Sequence, residues 1–122
     1  MIILGINAYH GDASAAIVID GQLVAAAEEE RFNRIKHAAG FPAHAIRYCL
    51  DAAGVKPSEI DHVAIAKDPK ARLMRKAAYA LRIPSLALER IRAWKKFTGV
   101  KEEIAQTLQV GPEEIRAQIH NV

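Results

Sequence analysis

The dipeptide Asp20-Gly21, set between two apolar runs, constrains the fold of this chain more than any other feature. A two-residue hairpin turn needs positive φ at both central positions, which Asp tolerates and Gly accepts at no steric cost. Residues 2–6, 15–19 and 23–27 are therefore predicted to form an antiparallel three-strand meander. Between the first two strands lies a short polar connection, His10-Gly11-Asp12-Ala13-Ser14. A buried loop would strand backbone donors and acceptors, so this connection is expected at the surface, at a strand end.

The hydrophobic pattern then changes period. Pro42 suits a first helical position, Ala45, Ile46, Cys49 and Ala53 share one helical face, and Gly54 supplies a stop. Pro57 forbids continuation of that helix, and residues 62–66 read as a short buried strand, added in parallel through the crossover helix. The expected fold class is thus α/β, with an incomplete mixed sheet over residues 1–67. A helical segment over residues 68–118 would pack on that domain or be inserted in it. In this segment Leu73, Met74, Ala77 and Leu81, then Leu88, Ile91 and Trp94, mark apolar helical faces. Residues 101–109 and 112–118 are predicted to be two further short helices. Residues 119–122 read as the opening of another strand, and the chain as the N-terminal piece of a longer protein.

With 122 residues, 51% of them hydrophobic and 25% charged, the chain has the composition of about one ordered domain. No apolar run reaches the roughly 18 to 20 residues of a membrane span, and the opening residues lack the basic region of a signal peptide. Cys49 is the only cysteine, which excludes an internal disulfide and fits a reducing cytoplasm. Charge is unevenly spread. Residues 67–96 hold ten Lys or Arg against Asp68 and Glu89, a net of +8 in a chain of net +3. Only Tyr79, Trp94 and Phe97 interleave with these cations, on apolar faces, so core packing explains the aromatics better than base stacking. The basic stretch is expected to be the wet side of helices rather than a nucleic-acid surface.

The chemistry-bearing residues cluster early. Asp12 could act as a general base toward a hydroxyl, or orient one. His10 could polarise an anion or shuttle a proton. Ser14 and nearby backbone N–H groups could cradle phosphate or carboxylate oxygens. The competing reading is an ordinary hairpin loop in which Asp12 makes only a local turn bond. Beyond the third strand, Glu28-Glu29-Glu30 and then Arg31, Arg34, Lys36 and His37 form a charged strand end. His44 and His62 read as structural or exposed, and His120 is left open. The sequence holds no His pair at i, i+4, no CxxC, no GxGxxG and no P-loop, so no complete metal or nucleotide signature is legible.

Taken together, Gly5-Ile6-Asn7, His10-Gly11-Asp12-Ala13-Ser14, Asp20-Gly21, Glu28-Glu29-Glu30-Arg31-Phe32 and Lys36-His37 through Phe41-Pro42 resemble the N-terminus of the nodulation and antibiotic O-carbamoyltransferases. The resemblance covers about residues 2–67 and continues more loosely beyond. It implies an actin-like, ribonuclease-H-like domain in an enzyme that makes carbamoyl adenylate from carbamoyl phosphate and ATP. The carbamoyl group then passes to a small-molecule hydroxyl acceptor, with the remaining polypeptide as partner. It also implies a divalent metal, iron or magnesium, whose ligands lie outside this chain. By the same resemblance Asp12 and His10 face the transfer site, while Ser14, Arg31, Lys36 and His37 are candidates for binding substrate. Asn7 stands where kinases of the superfamily carry an Asp, which argues against ordinary ATP hydrolysis. The rival readings are an actin-like ATPase segment and a basic nucleic-acid-binding module.

Overall fold

The computed structural model describes residues 1–9, 11–66 and 99–122. The chain divides into two compact units, Met1–Lys67 with Lys101–Val122, and Asp68–Val100. His10, the basic stretch and the faces expected around Leu73 to Trp94 lie outside the described residues.

The first unit is built on a mixed five-stranded sheet. Strands β1 (Ile2–Asn7), β2 (Ser14–Ile19) and β3 (Gln22–Glu28) form the meander. Strands β4 (His62–Ile65) and β5 (Gln118–Asn121) complete a sheet of order β3-β2-β1-β4-β5. β1 pairs antiparallel with β2 from Ile2↔Ile19 to Asn7↔Ser14, and parallel with β4 from Ile3↔His62 to Ile6↔Ile65. The hairpin turn has the backbone that its dipeptide predicts, with φ of 50° at Asp20 and 81° at Gly21. Meander, crossover helix and parallel strand match the class expected from the sequence.

Period two decides which side of the sheet is buried. Leu4, Ile6, Ala15, Ile17, Val63 and Ile65 are all at most 4% exposed and share one face. Helix α1 (Glu30–Asn33) is a single turn after β3, and helix α2 (Ala43–Ala53) packs on β2 and β3 through Ala45, Ile46, Cys49 and Leu50. Burial raises the Cys49 thiol pKa, and its Sγ donates to the Ala15 carbonyl at 3.4 Å. Helix α3 (Val100–Leu108) adds buried Ile104 and Ala105, and the Arg47 Nε of α2 donates to the Thr107 carbonyl at 2.7 Å. No helix among the described residues is long and apolar enough to cross a membrane.

Gly54 ends α2 at φ 64°, its N–H donating to the Leu50 and Asp51 carbonyls. Nothing lies within 4 Å of a Cβ built there, so the cost of a side chain is conformational alone. Gly54→Ala is expected to lower stability by about 1 kcal/mol in urea unfolding. An unchanged midpoint would show that α2 can end in another way.

One sequence expectation fails. Residues 112–118 are not a helix: Pro112–Glu114 make one 3-10 turn, and the chain then extends into β5. Ile115 and Ala117 are buried while Arg116 between them is exposed, a period-two pattern too short to be told from an apolar helical spacing. The turn is closed by Gly111 N–H donating to Glu114 Oε1 at 3.1 Å, which satisfies the local donor without a second helical turn.

Candidate functional site

Two loops meet beyond the end of β1. The first holds Ala8 and Tyr9 and then Gly11 to Ala13, and the second joins α1 to α2. Tyr9 N–H donates to the Gly40 carbonyl at 2.8 Å, and Ala13 N–H to the Ala38 carbonyl at 3.0 Å. Ala8, Ala13 and Ala38 are buried beneath these crossings and anchor both loops to the core. Tyr9, Asp12 and His37 adopt positive φ, at 66°, 64° and 55°. Side chains rarely accept that region, and such residues gather where surrounding contacts over-determine the backbone.

Those contacts can be named. Asn7 Nδ2 donates to the Asp12 carbonyl at 2.8 Å, which secures the backbone of the first loop. The Tyr9 hydroxyl donates to Glu103 of α3, and burial together with that carboxylate pushes the phenol pKa up. In the second loop His37 N–H donates to Glu30 Oε2 at 3.2 Å.

The side chains of Asp12 and His37 then meet across 25 residues of sequence, Oδ1 to Nδ1, at 2.8 Å. A carboxylate only accepts, so the imidazole Nδ1 carries the proton and Nε2 is the ring's other, separate nitrogen. Both side chains are about two-thirds exposed, at 64% and 68%, open to a ligand. The bond to Asp12 and the charges of Asp12 and Glu30 raise the His37 pKa above its ordinary 6.5. Protonated His37 therefore steadies the loops fully below about pH 6.5, and that contribution fades as pH rises through the raised folded value. An NMR titration should find the His37 ring titrating above 6.5, and Asp12→Asn should return it toward 6.5. A midpoint at or below 6.5 in the parent protein would mean that the pair does not form.

The other expected residues fall into two places. Ser14 and Arg31 both line an open concavity of about 590 Å³ on the face of the sheet opposite α2, with Gly5, Asn7, Ala16 and Ala64. Lys36 is exposed on the second loop, next to His37. His10 lies outside the described residues. The Asp12 carboxylate reaches a distant loop rather than its own turn.

Sequence reasoning missed Glu29. It sits among three consecutive glutamates that read as a solvated strand end, yet it is only 6% exposed. Its Oε2 accepts from Ala45 N–H at 2.9 Å, and its Oε1 from His44 N–H at 3.3 Å and His44 Nδ1 at 2.6 Å. It thus caps α2 from another element, where the helix's own N-cap, Pro42, offers no side-chain bond. The missing local cap was the one signal in the sequence.

Among the described residues no three His, Cys, Asp or Glu side chains converge as a metal site would require. The resemblance places the ligands of its divalent metal outside this chain, and the described residues supply no such set.

The carbamoyltransferase N-terminus family matches residues 2–112. An uncharacterized protein of Synechocystis is 51% identical over 67 residues, covering 55% of this chain and 11% of its own. The nodulation protein NolNO of Sinorhizobium fredii is 52% identical over 58 residues, covering 48% of this chain and 8% of its own. The chain thus spans about a tenth of the length of these two relatives. Among solved structures, YeaZ from Pseudomonas aeruginosa aligns over 99% of this chain and 43% of its own, with 18% identity and a TM-score of 0.48.

Proposed function

The chain belongs to the carbamoyltransferase N-terminus family, and from that premise we propose that the whole protein is an ATP-dependent O-carbamoyltransferase. Carbamoyl phosphate and ATP would supply carbamoyl adenylate with release of phosphate and pyrophosphate, and the carbamoyl group would pass to a substrate hydroxyl with release of AMP. The observation that carries the reading to particular residues is the 2.8 Å contact between Asp12 and His37 on two interlocked loops.

In transfer, the acceptor oxygen bonds to the carbamoyl carbon, the bond from that carbon to the phosphate oxygen breaks, and the hydroxyl proton must leave. The Asp12–His37 pair is the proton-handling unit. Asp12 orients the ring through Nδ1, the neutral ring takes the hydroxyl proton on Nε2, and the carboxylate steadies the resulting imidazolium. Ser14, Arg31 and Lys36 are assigned to the anionic part of the donor, as is His10. Arg31 offers a forked set of donors suited to phosphate oxygens, and Lys36 a point charge. Positioning and charge stabilisation are the main sources of rate in such a site.

The test is a transfer assay on the full-length protein with carbamoyl phosphate, ATP and hydroxylated acceptors. Release of AMP and pyrophosphate that depends on carbamoyl phosphate, together with a carbamoylated acceptor, is expected. ATP hydrolysis indifferent to carbamoyl phosphate would replace this reading with an actin-like ATPase. Tight, charge-dependent binding of generic RNA or DNA at about 150 mM salt would favour the nucleic-acid module instead.

A further inference from the structure

We propose that His62 and His120 form a two-imidazole binding site for a divalent transition-metal ion of the zinc, nickel or copper class, clipping edge strand β5 to β4. The two residues are far apart in sequence, and only the parallel pairing of β4 with β5 brings them together. His120 is the register partner of Ala64, and His62 of Gln118, so the two histidines stand diagonally on one face of the sheet. Nδ1 of His62 lies 3.1 Å from Nε2 of His120, with ring centroids 5.1 Å apart and planes inclined at 55°.

That separation suits chelation. With metal–nitrogen bonds of about 2.05 Å, donors this far apart subtend about 98° at the ion, between square-planar and tetrahedral angles. The rings now face each other in a hydrogen bond, and rotation about the broad χ2 torsion would turn both lone pairs toward one point outside the sheet. His62 is half-buried and His120 exposed, so one ring is held while the other can adjust. The backbones on either side are fixed by Gln118 N–H to the Asp61 carbonyl at 2.9 Å and Val122 N–H to the Ile65 carbonyl at 3.0 Å. Neutral imidazole nitrogen suits zinc, nickel and copper, whereas magnesium and calcium prefer oxygen ligands. Water would complete the coordination shell. The site is distinct from the Asp12–His37 pair, which lies in the loops beyond β1.

Calorimetric titration of the purified protein with zinc chloride tests the proposal, with His62→Ala, His120→Ala and His120→Gln titrated alongside. Loss of one zinc equivalent, or at least about a tenfold fall in its affinity, is expected in every variant. Zinc should also slow amide exchange at residues 118–121 in the parent protein and not in His120→Gln. Counting the difference between parent and variant isolates this site from any metal held elsewhere in the protein. The same stoichiometry and affinity in all three variants would overturn the proposal, as would binding without added protection of β5. His120→Gln at an exposed position keeps the test available should His62→Ala disturb β4.

Discussion

Replacing Asp12 by Asn in the full-length protein is expected to lower carbamoyl transfer by roughly 10²-fold or more while the fold persists. Asn tolerates the left-handed backbone that Asp12 adopts at φ 64°, so the loop has no steric reason to move. The bond from Asn7 is made to the Asp12 backbone carbonyl and survives the exchange. What changes is the partner of His37: a neutral amide stands where a carboxylate held the ring and steadied its charge. The loss should fall on kcat rather than KM, because imidazolium charge develops as the hydroxyl proton is taken up. The activity of the parent should also rise with pH through the raised pKa of His37, since the protonated ring cannot accept a proton. Steady-state kinetics across pH, with circular dichroism as a check on folding, decides the matter. Turnover near the parent value would leave the Asp12–His37 bond a contact that only holds the two loops together.

Glu29→Ala should have the largest effect on stability, about 2–4 kcal/mol in urea unfolding. It removes three hydrogen bonds at once and leaves two N–H groups at the start of α2 without their acceptor, at a site where the side chain is nearly excluded from water. The N-terminal end of α2 also loses the negative charge that its dipole favours. Glu29→Gln keeps the shape and one carbonyl-type acceptor, so about half that loss is expected. Because α2 covers β2 and β3, and its preceding loop carries His37 and Gly40, the loss should reach the site as well. A change below about 0.5 kcal/mol for Glu29→Ala would mean that water caps the helix equally well.

The meander, the helix that starts within a residue of Pro42 and stops at Gly54, and the parallel fourth strand were legible because each rests on local rules. Asp-Gly turn chemistry, β-branched runs and a Gly stop act over a few residues, and no distant contact overrides them here. The stretch before β5 was misread because Pro112 and the spacing of Ile115 suit either a short helix or a turn leading into a strand. Only pairing with β4 settles which one forms. Asp12, Ser14, Arg31, Lys36 and His37 were nameable as candidates from residue type and resemblance, but not as partners.

What the sequence determined by itself is the order of strands and helix and the polar loop at a strand end, since periodicity and turn residues are properties of neighbours in the chain. Among the associations that the tertiary structure alone decided are three that matter here: Asp12 with His37, Glu29 with the start of α2, and His62 with His120. Each joins residues 15 to 58 positions apart, and a chain's local preferences carry no information about which distant side chain the folded sheet will bring within hydrogen-bond reach.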